Sequence, residues 1–139
     1  MCFEPEPEKK ILTRFHSLLN ADGAVLLDVY SLNAFDQKEQ VSTYEYRQLD
    51  GFWSKEDYYG FLNTFKYEEE KVILDKYTII EESRTRVVYN WLQYFSEDSL
   101  RKEFEVNGFK IEEFYSDVAG KPFNSKSTEF AIVARKLDK

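Results

Sequence analysis

The hydrophobic pattern changes period three times along this chain. In residues 9–19, Ile11, Phe15, Leu18 and Leu19 recur at helical spacing and predict one apolar helix face. Pro7 suits the first turn of that helix, where an N–H has no partner anyway, and Glu6 and Glu8 lie near its positive end. Asn20-Ala21-Asp22-Gly23 reads as a turn closed by a residue that tolerates positive φ. Residues 24–30, Ala-Val-Leu-Leu-Asp-Val-Tyr, then read as a strand apolar on both faces. Such a strand belongs in the middle of a covered, largely parallel sheet. Only one helix precedes it here, so a partial sheet is expected.

From residue 31 to residue 95 the period falls to two. Leu32-Asn33-Ala34-Phe35 predicts a helical turn. Tyr59, Phe61, Asn63, Phe65 and Tyr67 alternate on one face of a strand. Ile73, Asp75, Tyr77 and Ile79 share a face of a second, with Val72, Leu74 and Ile80 opposite. Val87, Tyr89, Trp91 and Phe95 share a face of a third. Glu68-Glu69-Glu70 and Glu82-Ser83 are the expected hairpin turns, giving an antiparallel meander rich in aromatic and β-branched residues.

Residues 96–139 return to helix and strand. Ser96 is an expected N-cap, followed by Glu97 and Asp98, with Leu100, Phe104 and Val106 facing inward and Gly108 ending the helix. Ile111, Glu113 and Tyr115 alternate with Glu112 and Phe114 in the next strand. A polar loop with Gly120 and Pro122 leads to residues 130–134, apolar enough to be a central strand.

The helix ending in Leu18-Leu19, the turn ending in Gly23 and the strand at 24–30 resemble the approach to the fifth strand of class I S-adenosylmethionine-dependent methyltransferases. Trp91-Leu-Gln-Tyr-Phe-Ser-Glu-Asp-Ser-Leu100 is similar to that family's "W…F-S/T-x-E/D-x-L" run into its last helix. Asn107-Gly108-Phe109 resembles the glycine-phenylalanine before the sixth strand, and Phe130-Ala-Ile-Val-Ala-Arg-Lys136 resembles the seventh. The resemblance implies three core strands in the spatial order fifth, seventh, sixth, with the meander as a cap over the active site. It also implies transfer of a methyl group from S-adenosylmethionine to a nucleophile. The family binds that cofactor through a glycine-rich loop and an acidic residue on its first two strands. The glycines here, Gly23, Gly51, Gly60, Gly108 and Gly120, are all isolated. Met1-Cys2-Phe3 would be the stub of the fourth strand.

The expected fold class is therefore α/β, or α+β as a truncated piece. It is a partial Rossmann-like methyltransferase sheet with an antiparallel β-meander cap. Residues 1–139 form a single domain, with 1–30 and 96–139 as the C-terminal half of the core and 31–95 as the inserted cap. S-adenosylmethionine enters by resemblance only, and the chain alone is not expected to bind it tightly. The expected partners are a small-molecule substrate and either a second copy in a homodimer or a separate chain carrying the N-terminal half. The dimer is expected to bury the edge of the strand at Ala24 to Val29 or the apolar patch beside it on the helix from Lys9 to Leu19. The alternative reading is a non-catalytic ligand-binding or interaction module that forms a homodimer.

Composition bounds these readings. A chain of 139 residues with 42% hydrophobic and 17% aromatic content can bury one core. A formal charge of −7 opposes binding to phosphate backbones, so nucleic acid is not an expected partner. No apolar run approaches the roughly 20 residues that cross a bilayer, and the acidic start lacks a signal peptide's features. The expected compartment is cytoplasmic, and a single cysteine, Cys2, agrees with a reducing one.

Candidate chemistry is sparse. His16 reads as a solvated helix residue, Cys2 as an inert thiol, and the carboxylates Glu68–Glu70, Glu81 and Glu82 as solvated turns. One His and one Cys exclude a zinc site of the usual kind. Arg47, Arg84 and Arg86 read as exposed strand charges. Phe52, Trp53, Tyr58, Tyr59, Tyr77, Tyr89, Trp91 and Tyr94 form either a small core or an aromatic-walled pocket, in which Trp53, Tyr58, Tyr89 and Trp91 would contact a substrate. Asp117, in the loop between the last two strands, is the further candidate for the substrate side. No residue is assigned a catalytic role.

Overall fold

The structure, a computed structural model, describes residues 7–138. The expectations for Cys2 and for a strand stub at Met1-Cys2-Phe3 lie outside the described residues. Helix α1 (Pro7–Leu18) leads through a turn to β1 (Ala24–Ser31) and the short α2 (Leu32–Asp36). The meander follows as β2 (Ser42–Tyr46), a turn at α3 (Gln48–Gly51), β3 (Tyr58–Tyr67), β4 (Val72–Glu81) and β5 (Thr85–Phe95). Helix α4 (Glu97–Val106), β6 (Phe109–Tyr115) and β7 (Glu129–Lys136) complete the chain.

The described strands join one seven-stranded sheet in the order β2-β3-β4-β5-β1-β7-β6. The run β1-β7-β6 is the fifth, seventh, sixth order that the resemblance implies. The meander strands pair antiparallel, and the one parallel contact among the described residues is a short one, Tyr30 with Tyr94 and Ser31 with Phe95. β2 was not foreseen. Its five residues are all exposed, so burial left no alternation to read.

The main core lies on one side of β1, β7 and β6. Val29, Phe130, Ile132, Ala134, Phe109 and Ile111 meet Leu12 of α1 and Leu100 and Phe104 of α4 there. Ser96 caps α4 as expected, accepting from the Ser99 N–H while the Ser99 hydroxyl accepts from the Ser96 N–H. Gly108 ends the helix with φ of 84°, a conformation L side chains rarely adopt.

Several expectations change. β1 is covered on one face only: Val25, Leu27 and Val29 turn inward, while Ala24, Leu26, Asp28 and Tyr30 are exposed. From Ala24 to Val29 it pairs with β7 alone among the described residues. Leu18 and Val106 point to solvent rather than the core. A register shift between Ile111 and Glu113 in β6 moves Glu113 off the inner face, and Phe114 packs against the core instead. His16 is half-buried: its ring meets Phe109 edge-on at 5.4 Å, and Nε2–H donates to the Leu137 carbonyl at 3.3 Å.

The two sides of the sheet differ along its length. Phe95 joins the core under α1 and α4, so its face of β5, with Trp91 and Tyr89, continues the helix-bearing side. Tyr94 packs with Phe35 of α2 and stacks on Tyr30, so its face continues the helix-free side of β1. Helices therefore cover opposite sides at the two ends of the sheet.

Candidate functional site: a cleft at the carboxyl end of β1

β1 ends where the sheet passes from the core to the meander, and a cleft of about 380 Å³ opens there. Tyr30, Tyr94, Leu92 and Ala34 give it apolar walls, and Gln37, Lys38, Thr128 and Glu129 give it polar ones. A smaller recess beside it shares Tyr30 and Glu129 and adds Asp28. Asp28 and Tyr30 lie on the helix-free face of β1, where Tyr30 faces Glu129 across the β7 ladder. Two carboxylates thus flank an aromatic wall.

The wall is held from behind. Tyr94 is buried, and its ring lies 5.5 Å from both Tyr30 and Phe35. Burial pushes its phenol up to about 12, with Tyr30 and then Asp75 adding to the rise. The Ser31 hydroxyl donates to the Ser127 carbonyl at 2.6 Å, and Asn33 Nδ2 donates to the Ser125 carbonyl at 2.6 Å. These bonds tie the end of β1 to the loop before β7.

Of the aromatic residues singled out in sequence, Tyr94 lines the cleft and the others do not converge on it. Tyr58 is buried, donates its hydroxyl to the Gln48 carbonyl and accepts from the Trp53 N–H, so it braces the α3 turn. Trp53 packs on Phe52 and Tyr77 beside it, with its indole N–H buried and unpaired. These two residues come together, on the covered face of the meander. Tyr89 and Trp91 lie on the opposite face, and Trp91 meets Tyr67 at 5.9 Å. Asp117 Oδ1 accepts from the N–H groups of Ala119 and Lys121, shaping its own loop. The cleft residues Tyr30, Asp28 and Glu129 were missed. The usable signal was position, since ligands gather outside the carboxyl ends of strands where the strand order reverses.

The charges near α3 are paired rather than free. Glu81, expected in a solvated turn, is buried and accepts from Arg84 at 2.9 Å and Arg86 at 3.2 Å. The Arg84 bond, with Arg86 in support and burial opposing, holds its carboxyl below the usual range. Arg47 lies 3.5 Å from Asp57. Among the described residues no cluster of His, Cys, Asp and Glu could hold a metal ion. No described helix is long and apolar enough to cross a membrane.

No family model matches the sequence, and no curated protein matches it. Solved structures do match. The CcbJ methyltransferase from Streptomyces caelestis shares the fold at TM-score 0.64 and 14% identity, covering 94% of this chain and 50% of its own. An S-adenosylmethionine-dependent methyltransferase from Clostridium acetobutylicum gives TM-score 0.67 at 9% identity, covering 94% and 51% respectively. The sugar N-methyltransferase KedS8 from a Streptoalloteichus species gives 0.56 at 13% identity, covering 94% and 49%. The chain has the fold of part of a methyltransferase and spans about half the length of these enzymes, consistent with a C-terminal portion.

The described glycines do not form a cradle for S-adenosylmethionine. The space a Cβ would fill is taken by Leu19 and Asn20 at Gly23, by Arg47 at Gly51, by Gln48 at Gly60 and by His16 at Gly108. Gly120 is open but lies in the β6–β7 loop, not after a parallel strand. These glycines serve packing within the chain, and the residues present do not fit the cofactor.

Proposed function

We propose that this chain is the substrate-side, C-terminal portion of an S-adenosylmethionine-dependent methyltransferase, competent only beside a half that carries the cofactor. One observation carries the reading: the flank of β1 from Ala24 to Val29 has no strand among the described residues, directly beside the cleft. A parallel strand placed on that flank completes the sheet and brings its own carboxyl end to the cleft, the usual ligand position in an open α/β sheet. The cofactor half is either a separate chain or a preceding segment of a longer protein.

In this reading the cleft holds the methyl acceptor, and the acceptor is an amine. Asp28 and Glu129 attract the ammonium form of the amine and accept its proton, which frees the lone pair that attacks the methyl group, while the Tyr30 and Tyr94 rings give it an aromatic wall. The amine chemistry of KedS8, a sugar N-methyltransferase of similar fold, supports this choice. The chain's contribution is positioning, which accounts for much of the rate when a bimolecular displacement becomes effectively unimolecular.

Two titrations test the reading. A hexosamine added to the isotopically labelled chain is expected to shift the amide signals of Tyr30, Tyr94 and Glu129, and a Glu129→Gln variant to lose most of that response. Shifts confined to other residues would overturn the cleft assignment. Calorimetry with S-adenosylmethionine is expected to give no tight binding. A one-to-one, low-micromolar isotherm would show that the chain holds the cofactor by itself.

A further inference from the structure

The face of the meander that walls the cleft continues past Leu92. Two residues back along β5, on the same face and about 7 Å away by strand geometry, stands Asn90. Asn90 opposes Asp75 of β4, and Asp75 opposes Thr64 of β3, so one polar row crosses three strands. The row beyond it, Val88 beside Tyr77 and Leu62, is apolar or aromatic, and the Trp53 ring lies 5.1 Å from that of Tyr77. Asn90, Asp75 and Tyr77 are all half-buried.

Asp75 breaks the pattern of its strand. Its neighbours on the same face of β4 are Ile73 and Tyr77, with Ile79 beyond. Among the described residues no ion pair joins it. Thr64, only 7% exposed, donates its hydroxyl to Asp75 Oδ1 at 2.6 Å and so aims the carboxylate. The charge is felt on both sides. Burial and then Asp75 push the Tyr77 phenol up, and Asp75 adds to the rise that burial and Tyr30 give Tyr94 in the cleft wall. A carboxylate drawn partly out of water with no cation beside it costs the fold stability.

We infer that this row is a second sugar position, and that the methyl acceptor is an amino sugar joined to a neutral hydroxylated ring rather than a free hexosamine. This rests on the amine reading of the cleft and adds what lies beyond it. The row itself selects a hydroxylated ring. A carboxylate accepts from neighbouring hydroxyls through its two oxygens, and the Asn90 amide carries both a donor and an acceptor. Tyr77 and Trp53 offer ring faces to the C–H side of a sugar. A phosphate or carboxylate is repelled by Asp75. A purely apolar group strips water from that carboxylate without replacing its hydrogen bonds. The step from Leu92 to Asn90 is about the width of one sugar ring.

Titration of the labelled full chain with glucosamine, galactosyl-glucosamine and lactose tests this. Galactosyl-glucosamine is expected to bind at least tenfold more tightly than glucosamine. It is also expected to shift the amide signals of Asp75, Asn90 and Tyr77 together with those of Tyr30 and Glu129. Lactose, which has no amine, is expected to shift the first three weakly and to leave Glu129 unmoved. Asp75→Asn keeps an acceptor for Thr64 and is expected to melt as the parent does, to bind glucosamine equally and to lose the tenfold gain. Tyr77→Leu, measured as well in case the first variant loses its fold, is expected to lose most of that gain. Equal affinity for glucosamine and the disaccharide overturns the second position and leaves the amine reading standing. So does a gain that survives both substitutions. Shifts at Asp75 and Asn90 with none at Tyr30 or Glu129 support the second position and overturn the amine reading. No response to any of the three sugars overturns both.

Discussion

Tyr30 and Tyr94 stack with ring centroids 5.5 Å apart across the one parallel pairing among the described residues. The two rings do different work. Tyr94 is buried between Tyr30 and Phe35 and locks the meander to β1, whereas Tyr30 is half open to the cleft. Tyr94→Ala is expected to cost about 3–5 kcal/mol in a denaturant titration, as for other large aromatic truncations in cores. Tyr30→Ala is expected to cost about 1 kcal/mol and to abolish the hexosamine response. Equal losses of stability would show that the rings form one core unit and that Tyr30 is not a binding wall.

The burial that raises Tyr94 also sets a pH limit. Its folded value, about 12, lies above the ordinary 10.0. The unfolded chain therefore loses this proton first as pH rises. The associated stability is fully present below pH 10 and is lost as pH climbs through the folded value. Melting temperature measured between pH 9 and pH 12 is expected to fall, and Tyr94→Phe to flatten that fall. Identical alkaline profiles would place the sensitive group elsewhere.

Glu81 gives the opposite sign in acid. Its carboxyl is held below the ordinary 4.5, first by the Arg84 bond. That stability is present above about pH 4.5 and disappears as pH drops through the folded value. Glu81→Gln should melt lower than the parent at pH 7, because Arg84 and Arg86 lose an acceptor. The gap should close toward pH 3, where the parent carboxyl is protonated. A gap that stays constant with pH would mean that the amide disturbs packing rather than charge.

Much of this fold is legible in the sequence, and the reasons are local. Period-two alternation marks β3, β4 and β5, although in β4 Val72, Ile73 and Leu74 are buried on both faces. Ser96 and Gly108 bracket α4 with side-chain and backbone chemistry that needs no tertiary context. Alternation fails in β1, whose outward residues Ala24 and Leu26 are as apolar as the inward ones. It fails again in β6, where the bulge after Ile111 exchanges the faces. The site was less legible. Tyr30, Tyr94 and Glu129 are distant in sequence and meet only because β5 and β7 flank β1. Trp53, Tyr58, Tyr89 and Trp91 crowd together along the chain, but the sheet divides them between its two sides.

Gly60 probes the strained segment beside the meander. A Cβ there would lie 2.4 Å from Gln48 Oε1 and 2.6 Å from Gln48 Cβ. Gln48 cannot simply swing away, since it sits between Arg47 and Leu49, both at positive φ, and its carbonyl accepts from Tyr58. Gly60→Ala is expected to destabilise by about 1–3 kcal/mol, the usual range for overpacking. A neutral effect in thermal melts would show that the α3 turn moves freely over β3.

Hydrogen exchange on β1 tests the open flank most directly. Lys136 donates to the Gly23 carbonyl and Ser31 donates to the Thr128 carbonyl, which fixes the phase of the ladder with β7. In an antiparallel pair, alternate residues exchange both bonds with the neighbour. Val25, Leu27 and Val29 therefore bond toward β7, while the N–H groups of Leu26 and Asp28 point to the unpaired side. The expected pattern is slow exchange at Val25, Leu27 and Val29 and fast exchange at Leu26 and Asp28, since amides open to water exchange without unfolding. Adding a chain that supplies the neighbouring parallel strand should slow Leu26 and Asp28 alone. Uniform protection in the isolated chain would show that the flank is already filled, and the case for a separate cofactor-bearing half beside it would fall.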